Sequence, residues 1–168
     1  MIDIIFLVLI FVHVVSAVLW MGAVVLFVSV LTPSMRRLTG PSRMDAMKAL
    51  GPTYANYLLR NATVAVAAGL ILYAWISQSS SPLPSVEVPW IGVGIIFGLV
   101  AYIVGIYLFT VTRNQMKMMG QAPAGQSGAG APLPDMAGAQ RRMAMLAGVQ
   151  ALLLFIALLA MVVGANIV

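Results

Sequence analysis

The chain has no cysteine and a single histidine, and only 4 of its 168 residues are acidic. Without cysteine there is no disulfide, thiolate metal site, iron–sulfur cluster or covalently attached c-type haem. One histidine excludes a bis-histidine haem, a three-histidine zinc site and a histidine-rich copper site within one chain. Any second ligand must be another residue type or come from another subunit. Charge is scarce as well: 8% of residues are charged and 62% are hydrophobic, with a mean hydropathy of +1.04. A soluble domain carries about 25% charged residues, so this surface cannot face water on all sides. P-loops, dinucleotide fingerprints, nucleophile elbows and fixed-period repeats are also missing. The length suggests one domain, 1–168, and the hydropathy makes it a membrane domain.

What the chain has is long apolar runs. Four are long enough to cross a bilayer, which takes about 20 residues: roughly 4–31, 62–77, 90–112 and 143–168. Residues 54–59 are expected to extend the short second run. The first is too long for a signal-peptide core and has no basic residue before it, so it is expected to stay as a helix.

Charge placement sets orientation. Arg36, Arg37, Arg43, Lys48 and Arg60 fall between the first two runs, in loop 32–61. Arg113, Lys117, Arg141 and Arg142 fall in loop 113–142, and together these are all 9 basic residues. The middle connection, SQSSSPLPSVEVPW, carries only Glu87. The positive-inside rule therefore predicts two cytoplasmic loops and both termini outside. The net charge of +5 reflects this topology and not nucleic-acid binding. The fold class expected is all-α, an integral-membrane antiparallel four-helix bundle in contact with lipid.

Within the first loop, Ser42 and Asp45 fit a capping box and Gly51-Pro52 a stop, which predicts a short helix on the inner membrane surface. Residues 120–135, rich in Gly, Ala, Pro and Ser, read as a flexible linker.

The histidine lies in the first run, within FVHVVSAVLWMG. Ionisable residues inside a span usually face the bundle interior and mark function. On a helix, Ser16 and Trp20 share the face of His13. The imidazole there is either a ligand to a metal or haem iron or a structural residue bonding a backbone carbonyl or serine on the next helix. Thioether sulfur pairs with histidine on haem iron and also binds Cu(I). Of the 12 methionines, only Met161 matches His13 in depth, at about 10 Å against about 13 Å from the outer side on helical rise. It is either a second ligand or core packing. The methionines of the basic loops, including MKMM at 116–119, are adaptable apolar filler or a soft-metal site. Gly94, Gly98, Ala101 and Gly105 form a small-residue stripe, suited to close approach by a helix or a flat porphyrin.

The pattern His13, Trp20-Met-Gly22 and an apolar run ending in LTPSMRRL resembles the first span of the copper resistance protein D (CopD)-like group of small prokaryotic membrane proteins. It is also similar to the first span of HemJ-type protoporphyrinogen oxidases. RNATVAVAAGLILYAW looks like the second span of the CopD-like group, and the likeness covers about the first 75 residues. The HemJ likeness implies His13 as an axial haem ligand; the CopD likeness implies copper handled by histidine and methionine. HemJ-type proteins also carry a functional lysine in a later span, whereas Lys48 and Lys117 both lie in loops here.

The expectation is a b-type haem-binding subunit of the prokaryotic cytoplasmic membrane, acting in electron transfer or within a respiratory-type complex and not an enzyme by itself. His13, Ser16, Trp20 and Met161 are the candidate haem-site residues, with His13 and Met161 as metal ligands. Homo-oligomers or other membrane subunits are the expected partners. Copper or small-solute transport and a cofactor-free structural subunit are the alternatives.

Overall fold

A computed structural model describes residues 4–38, 40–78, 87–121 and 136–166. In lipid every backbone polar group must be satisfied within the protein, and an apolar helix does this by itself. Helix α1 (Ile4–Leu26) meets that condition with a run free of glycine and proline until Gly22. It continues into a π-helical segment (Phe27–Leu31) and a short α2 (Thr32–Arg36). Pro33 accounts for the change of register. Its ring removes one donor and crowds the carbonyl four residues back, and a widened turn relieves the crowding. Both the amide and the hydroxyl of Thr32 donate to the Phe27 carbonyl, five residues back; the hydroxyl does so at 2.8 Å.

The three long helices that follow are α3 (Gly40–Ser77), α4 (Glu87–Gln121) and α5 (Met136–Asn166). Four stretches have the length and apolarity to cross a membrane: Ile4–Met35, Asp45–Ser77, Pro89–Asn114 and Arg141–Gly164. The expected separate surface helix ending at Gly51-Pro52 is not formed. Instead α3 runs unbroken through Pro52 and begins two residues before Ser42, so the expected capping box does not sit at its start. Gly51 explains the continuity. The α conformation is disfavoured before proline partly by a clash with Cβ, and glycine has none. The expected linker at 120–135 lies, apart from its first two residues, outside the described residues.

Successive spans run antiparallel. His13 meets Ala65 while Ala23, further along α1, meets Tyr54, earlier in α3. In the same way Gly94 faces Met161 while Gly105 faces Gln150. The core is built mainly from alanine: Ala62, Ala65, Ala101, Ala157 and Ala160, filled out by Trp20, Val24 and Leu154. Small residues let helix backbones approach closely, which is how helices associate in a solvent as apolar as themselves. The large apolar side chains point outward instead. Phe11 and Val18 on α1, Ile96 and Ile103 on α4, and Leu152 and Phe155 on α5 are all exposed. Such an apolar perimeter suits lipid. The molecule is thus a multi-pass membrane helix bundle.

Candidate functional site

His13 stands on the side of α1 that faces α3. Its Nδ1 lies 2.8 Å from the carbonyl oxygen of Ala65. A carbonyl only accepts, so Nδ1 carries the proton in this contact. In the neutral ring Nε2 then keeps a lone pair, and it makes no hydrogen bond among the described residues. Gly69, one turn beyond Ala65, makes the approach possible. A Cβ there would stand 2.7 Å from His13 Cε1 and 3.0 Å from Nδ1, well inside contact distance. The structural reading of His13 is therefore realised at one nitrogen, and the other stays available.

His13 borders a half-open cavity of about 340 Å³ lined by residues of all four spans, Trp20, Gly69, Gly94, Gly98 and Met161 among them. The depth match is thus reflected in space: His13 and Met161 share one cavity. Met161 lies across Gly94, where a Cβ would come within 2.9 Å of its Cγ. Ser16 is buried but is not part of the cavity lining. Trp20 is buried and packs edge-on to Tyr102, with ring centroids 6.3 Å apart at 86°. Tyr102 bonds the Thr63 hydroxyl at 3.0 Å. Thr63 spends its own proton on the Leu59 carbonyl, so Tyr102 is the donor of that pair. The indole Nε1 of Trp20 is buried with no partner. A stranded buried donor costs about 1–3 kcal/mol.

Three members of the small-residue stripe pack against α5, and Gly98 does not. Gly94 and Gly105 receive Met161 and Gln150, and Ala101 is fully buried with its carbonyl accepting from Gln150 Nε2 at 3.2 Å. Nothing lies within 4 Å of a Cβ built at Gly98, which opens on the His13 cavity. Helix contact therefore explains the stripe except at this one position.

Sequence reasoning passed over Gln150, Tyr54 and Gly69. Gln150 could have been found by the rule applied to His13, being a polar residue deep in the apolar run MAMLAGVQALLLF. Gln150 and Tyr54 line a second cavity of about 520 Å³ at the basic end of the bundle, together with Met35, Met47 and Met143. The side chains of 116, 118 and 119 lie outside the described residues.

Two donors of the kinds that ligate haem iron, an imidazole nitrogen and a thioether, border the His13 cavity. Among the described residues no three of His, Cys, Asp and Glu come together as a metal-ligand group. An apolar space of about 340 Å³ far exceeds what a single ion fills, and a bare cation there would lack counter-charge. Ligand pockets begin at about 300 Å³, so the space is larger than an ion needs but small for a macrocycle, and a haem held there would project through the open side of the cavity. No lysine or arginine lines the cavity, so carboxylates on such a group would have to reach the membrane surface. Comparison with protein-family models, curated proteins and solved structures gave no match.

Proposed function

We propose that the protein is a membrane subunit that holds haem b through His13, in a prokaryotic cytoplasmic membrane with both termini outside. The observation that carries this reading is the division of labour on one imidazole. Nδ1 is bonded to the Ala65 carbonyl, and Nε2 retains its lone pair in a side chain bordering an apolar cavity shared with Met161. A hydrogen bond from the far nitrogen is what fixes the tautomer and ring orientation of a ligating histidine. Gly69 leaves the space in which the ring lies, the rest of the lining is largely apolar, and Gly98 leaves room beside α4. When bound, haem would supply a one-electron couple, with its potential set by axial ligand and burial. The likeness to HemJ-type first spans points to His13 as a haem ligand, and the likeness to the CopD-like group points to the same residue as a copper ligand. The role that follows is electron transfer within an oligomer or a larger respiratory-type assembly. Copper transport is less well supported, because the cavity is too large and too apolar for an ion.

The visible spectrum tests this. Protein purified from haem-replete cells should show a Soret band and, when reduced, an α band. His13→Ala should abolish both while helix content and membrane insertion stay unchanged, since insertion rests on apolar length. A colourless wild-type protein, or bands that survive His13→Ala, would overturn the assignment. The histidine would then be a hydrogen-bonding residue of a cofactor-free subunit.

A further inference from the structure

The second cavity, about 520 Å³ at the basic end, is walled by the π-helical segment and by α3, α4 and α5. Most of its lining is apolar, and methionine makes part of that lining adaptable. Its polar atoms follow a pattern. Gln150 Nε2 donates to the Ala101 carbonyl, the Tyr54 hydroxyl to the Ala23 carbonyl at 2.8 Å, and the Thr32 hydroxyl to the Phe27 carbonyl at 2.8 Å. Each accepting partner is a carbonyl, so none of these bonds can be reversed. The Tyr54 and Thr32 hydroxyls have each spent their one proton and offer an occupant only lone pairs, while Gln150 keeps its Oε1 and the second N–H of its amide. Apart from that Gln150 N–H, the donors of the lining lie nearer the mouth. Thr112 lies about 10 Å beyond Gly105 along the helical rise, and exposed Arg141 stands at the start of the fourth span. The wall also holds a stacked pair, Phe27 on Tyr54, with centroids 5.3 Å apart at 21°, which suits a planar ring. The π-helical turn that helps form this wall is a device found frequently at functional sites.

We propose that this cavity binds a lipid-soluble molecule with an aromatic head that donates hydrogen bonds, a quinol in preference to its quinone. A quinol carries two O–H donors to meet the acceptors deep in the cavity. The quinone has only carbonyl oxygens, which the Tyr54 and Thr32 lone pairs cannot serve. The inference stands whether or not His13 binds haem.

Calorimetric titration of the full-length protein in detergent, with a short-tailed ubiquinol held reduced and then with the same compound oxidised, tests it. The quinol should bind about tenfold tighter, as expected for one net hydrogen bond. Tyr54→Phe keeps the ring stack and removes one acceptor, so it should cost the quinol about tenfold and leave the quinone unchanged. Gln150→Leu, which removes an acceptor and a donor together, should weaken both forms. If Gln150→Leu fails to fold, Tyr54→Phe still decides. Equal affinities, a tighter quinone, or quinol binding indifferent to Tyr54→Phe would overturn the proposal. So would phosphatidylglycerol that displaces both forms and loses its hold in Arg141→Gln, which would assign the cavity to a lipid headgroup.

Discussion

His13 and Ala65, 52 positions apart in sequence, are joined by a hydrogen bond of 2.8 Å that ties the first span to the second. In a helix the Ala65 carbonyl also serves the amide four residues on, which belongs to Gly69, and a carbonyl has a second lone pair to offer the imidazole. One turn of α3 thus supplies both the acceptor for the ring and the gap in which it lies.

Gly69→Ala should therefore act on the site more than on the fold. The added methyl would stand 2.7 Å from His13 Cε1, so the ring must rotate or withdraw from the Ala65 carbonyl. Overpacking of this kind costs about 1–3 kcal/mol. The expected result is a haem content reduced about tenfold or more, by the same energy scale, with helix content unchanged. A wild-type Soret intensity in Gly69→Ala would show that the ring orientation does not matter to binding.

Met161→Leu separates two ligand arrangements. Leucine is close to methionine in volume, so packing against Gly94 should survive at a cost below about 1.5 kcal/mol. If the thioether is the sixth ligand, the reduced spectrum should change from low-spin to high-spin with haem retained. A low-spin spectrum that survives would mean that the sixth ligand comes from elsewhere, such as the His13 of a second copy across a two-fold axis.

Orientation has its own test. Cysteines placed at Ser80 and Ser127 should react from opposite sides of the membrane, Ser80 with an impermeant reagent added outside and Ser127 only after permeabilisation. Labelling of both from outside would refute the charge-based topology.

The spans were legible in the sequence because hydropathy and length alone decide them, and the depth match brought His13 and Met161 to one cavity by counting rise. Contacts between helices were not legible. The carbonyl that His13 would choose depends on how α1 and α3 are rotated against each other. Gly69 shows its purpose only once the ring lies over it. Pro52 misled for a local reason: Gly-Pro is a strong stop signal in water, yet glycine also removes the Cβ that makes the residue before proline resist the α conformation. Pro33 worked the other way. The same chemistry left a lasting mark there as a π-helical turn, which periodicity cannot reveal.

Gly98 and Gly105 look alike in the sequence, both part of one stripe, and the structure separates them. A methyl at Gly105 would come within 2.6 Å of Gln150 Nε2, while one at Gly98 meets nothing within 4 Å. Gly105→Ala should thus displace the buried amide from the Ala101 carbonyl and destabilise the α4–α5 pair by about 1–3 kcal/mol. Gly98→Ala should be neutral or slightly stabilising, because alanine loses less backbone entropy in a helix than glycine. Thermal unfolding in detergent measures both, and equal shifts would mean that the two positions share one environment. Gly98→Leu takes the contrast into the site. Its side chain would extend into the space that His13 and Met161 border, so haem binding should be lost while the melting temperature holds. If Gly98→Leu instead lowers the melting temperature and leaves haem in place, Gly98 faces a helix and the cavity lies elsewhere.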